Sequence, residues 1–276
     1  MSAVTRLCLT TLNYAAPSGA CLGGVVEVEV EIHDGRAADL PGWRECGFEL
    51  VRHTSAVTDW ADDAEIATAH YPEAEAVAKS LTGCDFALVS DHVKRSGQEA
   101  KREREQSPVR LVHSDFAKNY ADIIRGAYRD VHGRGAATLA RSGLSANGVE
   151  KARRILMLQL WRNLGPAKMD LPVAFCDART VTPAEGRPFR YTGYVAGGRA
   201  FDALAIAAPE LPSGHSWYAF PEMTPDEVVA FRTYDTELVR HGKTWFTPHS
   251  AFRDPDVEVG KPGRFSIELR VMCLFT

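Results

Sequence analysis

The sequence predicts a mainly β fold, a barrel or jelly roll with helices packed outside. Three observations carry this. The run Val25-Val26-Glu27-Val28-Glu29-Val30-Glu31-Ile32 alternates apolar and acidic residues strictly, as a strand with one wet face does. Beyond about residue 154, short apolar runs follow one another between Pro, Gly and Asp turns. Helical spacing is confined to 59–80 and 116–142, an order that suits sheets with helices laid against them.

With 276 residues, 45% hydrophobic and 25% charged, the chain can bury a sizeable core without staples. It contains no Gly/Ser or Pro-rich linker and no repeat. We expect one domain over 1–276, with an N-terminal α/β part of about 1–84, a β core of about 85–276 and a helical insert of about 116–154. A net charge of −4 argues against nucleic-acid partners, which call for a basic face. No run approaches the roughly 18 apolar residues of a membrane span. The six cysteines lack Cys-x-x-Cys spacing, which suits reduced thiols and a cytoplasmic protein. Arg6 before Leu7-Cys8-Leu9 faintly echoes a signal peptide, but Asn13, Tyr14 and Pro17 interrupt it, so a strand is expected there.

In order, Gly47 to Arg52 reads as a short strand. Asp59 to Ser80 is helical, divided at Pro72 and stopped by Gly83. Phe86 to Val93 returns to strand, and the charge run Lys94 to Ser107 reads as a solvated loop. From Pro108 a strand leads to His113, and Tyr120, Ile123, Ile124, Tyr128 and Val131 then show helical spacing. Gly133-Arg134-Gly135 completes no phosphate fingerprint and reads as a loop. Strands are expected at Ile155–Trp161, Leu171–Cys176, Phe189–Val195, Ser216–Phe220, Glu227–Thr233, Trp245–Phe252 and Arg264–Leu274. Thr224-Pro225-Asp226-Glu227 resembles a helix capping box, yet the β-branched and aromatic run behind it favours strand.

The chemistry concentrates at His113-Ser114-Asp115. Side chains i and i+2 of an extended segment share a side, so both can reach one metal ion. With 9 His and 36 acidic residues, about one such triplet is expected by chance, so the weight lies in what accompanies it. His249 supplies a third candidate ligand. Two imidazoles and one carboxylate form the facial triad of non-haem Fe(II) oxygenases, which leaves positions open for a cosubstrate and dioxygen. Zinc or manganese could use the same ligands. Fifteen residues beyond His249 stands the chain's one Arg-x-Ser, Arg264-Phe265-Ser266. On one strand face the pair would clamp a carboxylate, as a cosubstrate such as 2-oxoglutarate requires. Arg270 lies on the same alternation and is an alternative anchor. No His-Glu-x-x-His or Gly-x-Ser-x-Gly motif offers a rival hydrolase site.

These residues resemble the Fe(II)/2-oxoglutarate oxygenase family typified by the cephamycin 7α-methoxylation protein and the fungal aspergillic acid hydroxylase. The likeness runs from Leu12-Asn13-Tyr14 through Val112-His113-Ser114-Asp115, Trp161-Arg162, Leu171 to Arg179 and Thr247-Pro248-His249 to Arg264-Phe265-Ser266-Ile267-Glu268-Leu269-Arg270. It implies a double-stranded β-helix that holds iron at His113, Asp115 and His249 and 2-oxoglutarate on the last strand. The family usually has Asn two positions before the tryptophan and Pro after the arginine, where this chain has Gln159 and Asn163. Gln159 is therefore expected to touch the cosubstrate or substrate pocket rather than the metal. The expected reaction is hydroxylation, desaturation or ring closure of a small, amino-acid-derived metabolite, because Asp115 fills the position a halogenating relative leaves for chloride. Candidate substrate contacts are Arg95 and Arg162 for an anionic group, and Trp161, Trp217 and Tyr218 for packing. Two rival readings are a jelly-roll lyase or isomerase that does not use 2-oxoglutarate, and a non-catalytic protein that binds metal and a small acid.

Overall fold

The computed structural model describes residues 5–17, 24–96, 107–129, 134–191, 201–211, 214–258 and 263–276. Among these residues thirteen strands form two sheets. One has eight strands, in the order β1 (Arg6–Ala15), β2 (Val25–Asp34), β10 (Trp217–Ala219), β7 (Val173–Cys176), β12 (His249–Ala251), β5 (His113–Ser114), β9 (Phe201–Ile206) and β8 (Gly186–Tyr191). The other has five: β3 (Phe48–Arg52), β11 (Glu227–Asp235), β6 (Arg154–Asn163), β13 (Phe265–Phe275) and β4 (Phe86–Ser96). Phe48, Trp161 and Phe231 from the smaller sheet pack on Val173, Phe175 and Tyr218 from the larger. The result is the expected jelly roll.

Alternation places side chains where function needs them. In β2, Val30 and Ile32 are buried while Glu27, Glu29 and Glu31 are exposed. In β6 and β13 both faces are covered. Leu156, Leu158 and Leu160, with Ile267, Leu269 and Val271, pack outward against Ile66, Ala74 and Ala78 of the 63–82 helical stretch. Gln159, Trp161, Ser266, Glu268 and Arg270 consequently face the opposite sheet. Pro72 sits at the start of helix Tyr71–Thr82, after a wider turn at Ile66–His70, and Gly83 ends it at φ 72°.

Several elements differ from the sequence reading. Within 116–142, Tyr120–Arg129 and Arg134–Ser142 are helices, so Arg134 and Gly135 are helical rather than part of a loop. Gly133, Val131, Val195 and most of the 94–107 charge run lie outside the described residues, while Lys94 to Ser96 extend β4. Strand β9 and the short helices Ala146–Lys151 and Thr236–Arg240 were not expected. The capping-box contact does form, with Glu227 Oε2 accepting from the Thr224 N–H at 2.9 Å, but β11 follows it.

Arg162 faces outward on β6, one residue from Trp161. It donates to the carbonyls of His53 and Pro225 and to His53 Nδ1, beneath the Trp60 ring. Nearby His70 is buried, and burial pushes its pKa down to about 4 against the pull of Glu73. An unfolded imidazole takes its proton below about pH 6.5 and the folded one does not. His70 therefore subtracts nothing above pH 6.5 and removes up to ~1.4 kcal/mol of stability per pH unit between there and about pH 4. His70→Gln is expected to flatten that part of the acid slope, read from denaturant midpoints at neutral pH and near pH 5.

Candidate active site

Strands β5 and β12 pair so that His113 and His249, distant in sequence, stand opposite each other across one ladder. Their ring centroids are 4.3 Å apart. Asp115, just past β5, turns to the same side, and one ligand atom from each of the three residues falls within 4.8 Å of the others. His113 Nδ1–H donates to the Leu111 carbonyl at 2.8 Å, and His249 Nδ1–H donates to the Thr247 carbonyl at 3.1 Å. A carbonyl only accepts, so each Nε2 carries the free lone pair. Thr247 is itself held close by Gly47, whose φ is 97° and where a Cβ would sit 2.3 Å from Thr247 Oγ1. Only glycine suits that conformation and that approach.

Asp115 uses its two oxygens differently. Oδ2 accepts from Gln159 Nε2 at 2.5 Å, Arg270 Nε at 2.8 Å and Arg270 Nη2 at 2.7 Å. Oδ1 lies 3.6 Å from His113 Nε2. Asp115 Oδ1 and the two imidazole nitrogens would hold a metal ion between them. Burial alone would raise the Asp115 pKa, but Arg270 and the two histidines hold it below the usual carboxylate range. Burial, aided by His113, pushes His249 down to about 3, and burial also lowers His113. The donor set is therefore two neutral imidazoles and one carboxylate, which suits Fe(II).

A cavity beside the triad is lined by His113, His249, Arg95, Trp161, Arg264 and Glu268. Arg264 is buried at 4% exposure, lies 5.1 Å from the Trp161 ring centre, and donates to Ser266 Oγ at 2.9 Å and to the Leu171 carbonyl at 3.3 Å. Burial, with Arg95 nearby, lowers its pKa to about 9, which leaves it a cation at neutral pH. Arg95 is not part of a solvated loop. It is buried at the end of β4 and paired with Glu268, Nη2 to Oε1 at 3.0 Å. A larger cavity of about 330 Å³ begins beyond Trp161 and Val173 and contains none of the three metal-ligand candidates.

The fold thus brings together His113, Asp115, His249, Gln159, Arg264, Ser266, Arg270, Arg95 and Trp161. It does not bring in two of the expected substrate contacts. Arg162 belongs to the outer polar cluster, and fully buried Trp217 donates to the Tyr14 hydroxyl at 2.8 Å on the far side of its strand. Tyr218 shares the inward face of its sheet with His249, Phe175 of β7 standing between them, and packs among Phe48 and His33. Sequence reasoning missed Glu268, although it stands midway in the alternating Arg264, Ser266, Glu268, Arg270 series.

A jelly roll with a two-histidine, one-carboxylate cluster in its interior is the architecture of a candidate metal enzyme. A family model described as an oxidoreductase/YMDC permease-like domain matches residues 21–274. Among the described residues no helix is long and apolar enough to cross a membrane. The chain is 29% identical over 243 residues to the hydroxylase/desaturase CTB9 of Cercospora beticola, covering 81% of this chain and 69% of that one. It is 28% identical over 256 residues to the alpha-ketoglutarate-dependent dioxygenase phiK of a fungal species, strain ATCC 74256, covering 89% and 83%. Its fold is that of a variant of the iron and alpha-ketoglutarate-dependent endoperoxidase NvfI, with TM-score 0.76 at 21% identity over 100% of this chain and 99% of that one. The chain belongs to the Fe(II)/2-oxoglutarate-dependent oxygenase family.

Proposed function

We propose that this enzyme binds Fe(II) through His113 Nε2, Asp115 Oδ1 and His249 Nε2, and holds 2-oxoglutarate between that ion and the Arg264–Ser266 pair. The observation that carries the reading is the buried Arg264 cation in the same cavity as both histidines. A dicarboxylate spanning the two ends would satisfy both. Fe(II), once bound, would supply the chemistry by which dioxygen and 2-oxoglutarate give succinate and carbon dioxide, the second oxygen atom either entering the substrate or leaving as water with two of its hydrogens. The protein's part is to fix geometry. Leu111 and Thr247 aim the imidazoles, Gln159 and Arg270 turn Asp115, and Trp161 walls the chamber against water.

The substrate is a small molecule, and we assign it to the amino-acid-derived metabolites. Hydroxylation, desaturation and ring closure all fit a triad whose carboxylate is present. The same reading takes 1–276 as one oxygenase domain, in the cytoplasm. Aerobic incubation with Fe(II), 2-oxoglutarate and a panel of such metabolites is expected to yield succinate together with a product that gains one oxygen or loses two hydrogens by mass spectrometry. Absence of succinate with every substrate and with none would sink it and favour the lyase or binding-protein readings.

The geometry supports different roles for Arg264, just before β13, and Arg270 within it. Arg270 is committed to Asp115, so Arg270→Met is expected to weaken Fe(II) or Mn(II) binding by ~10–100-fold, as loss of a partner behind a metal ligand does. Titration of the metal alone measures this. Unchanged metal affinity together with a steep rise in the 2-oxoglutarate requirement would exchange the assignments of Arg264 and Arg270.

A further inference from the structure

Glu268 is a buried ionisable group in the cavity wall that the mechanism leaves unused. It is 8% exposed and lies on the inward face of β13 between Ser266 and Arg270. Its Oε1 accepts from Arg95 Nη2 at 3.0 Å and from Arg270 Nη2 at 3.3 Å, and its Oε2 accepts from Arg95 Nε at 3.4 Å. Arg270 continues to Asp115. Arg95, Glu268, Arg270 and Asp115 therefore form a ladder of alternating charge that ends on a metal ligand. Arg264 stands beside it, and its side-chain hydrogen bonds run to a hydroxyl and a carbonyl.

A buried ladder is weak evidence for stability, since well-packed apolar residues of similar volume serve a core as well or better. Its placement fits a different task. We propose that Glu268 is a positioning residue that sets how tightly the chamber holds dicarboxylates, and so how readily the succinate co-product leaves. This rests on the placement of 2-oxoglutarate against Arg264 described above. Cosubstrate and co-product are both dianions and would use the same arginine. A fixed carboxylate in the cavity wall repels each of them while drawing the metal ion in. It also occupies Arg95, which would otherwise be a second cation open to the dianion. Removing one negative charge makes the chamber more positive by one in every ligation state, whatever the other groups sum to.

The opposite signs make the idea testable. In Mn(II)-loaded protein without dioxygen, Glu268→Gln is expected to bind 2-oxoglutarate and succinate each ~5–10-fold tighter, because a nearby like charge is gone from a low-dielectric site. The same variant, titrated with Mn(II) alone, is expected to bind the ion several-fold more weakly, the sign expected when an anion near a cation is removed. Glu268→Asp keeps the charge and is expected to restore both constants to within about twofold. Arg95→Gln, which removes the paired cation, is expected to weaken both dicarboxylates, and it provides the reading if Glu268→Gln does not fold. A merely structural carboxylate gives a looser site in which metal and dicarboxylates weaken together. That result, or unchanged succinate affinity, overturns the proposal. If Arg264→Ala still binds 2-oxoglutarate normally, it is the cosubstrate placement that fails, independently of Glu268.

Discussion

Asp115→Ala is expected to abolish turnover and to weaken Fe(II) or Mn(II) binding by at least ~100-fold, because losing a ligand costs more than losing the partner behind one. Three effects act together. The ion loses its one anionic ligand, so two neutral imidazoles must hold a dication alone. Arg270, which the carboxylate neutralises through Oδ2, is left aimed at the metal position. His113 and His249 lose the nearby anion that favours a cation between them. The fold should survive, since Asp115 lies just past the paired residues of β5 and is anchored by side chains from β6 and β13. Asp115→Asn separates charge from shape by keeping an oxygen and losing the anion, and it is expected to fall between Ala and the native residue. Metal titration and thermal unfolding, run side by side, measure the two claims. Stoichiometric, tight metal binding by Asp115→Ala would place the ion elsewhere.

Much of the site was legible in the sequence because those parts sit where local rules apply. His113 and Asp115 obey the i, i+2 rule at a strand end. Arg264, Ser266 and Arg270 follow the alternation of one long strand, and all three prove to face inward. The same rule failed to choose between Trp161 and Arg162. In β6 nearly every residue is buried, as the 63–82 helical stretch covers one face and the opposite sheet the other. An apolar-polar alternation that would mark the inner side is then missing. Trp217 and Tyr218 were ambiguous for the same reason, since all three residues of β10 are buried.

Other misses have other causes. Arg95 looked like part of a solvated charge run. Its burial comes from strand pairing to Ser266 across β13, a long-range contact that its neighbours Lys94 and Ser96 do not announce. Strand β9, Phe-Asp-Ala-Leu-Ala-Ile, has little β-propensity of its own and becomes a strand by pairing with β5 on one side and β8 on the other. Glu268 escaped notice because an acid between two arginines reads as surface charge until the sheet closes over it.

Arg264→Ala is expected to raise the 2-oxoglutarate KM by about two to three orders of magnitude while leaving metal titration nearly unchanged. Truncating one partner of a buried, hydrogen-bonded charge pair costs roughly 2–5 kcal/mol, or about 30- to several-thousand-fold in affinity. The environment argues for a value well inside that range. Arg264 is buried, stacked on Trp161 and fixed through Nε to Ser266, so little of its binding energy is spent on ordering a flexible side chain. Leaving the cosubstrate's far carboxylate without a cation in this setting strands a charge away from water. Arg95 does not replace the lost cation, because it is tied to Glu268 and to the Ser107 carbonyl. Arg264→Lys keeps the charge and loses the fork, and it is expected to recover part of the loss, since a single ammonium cannot serve Ser266 and a carboxylate in the same planar geometry. The decisive comparison is the KM for 2-oxoglutarate against the affinity for Mn(II) across the native protein, Arg264→Lys and Arg264→Ala. A graded rise in the first with a flat second supports the clamp. Parallel losses in both would instead make Arg264 a support of the metal site.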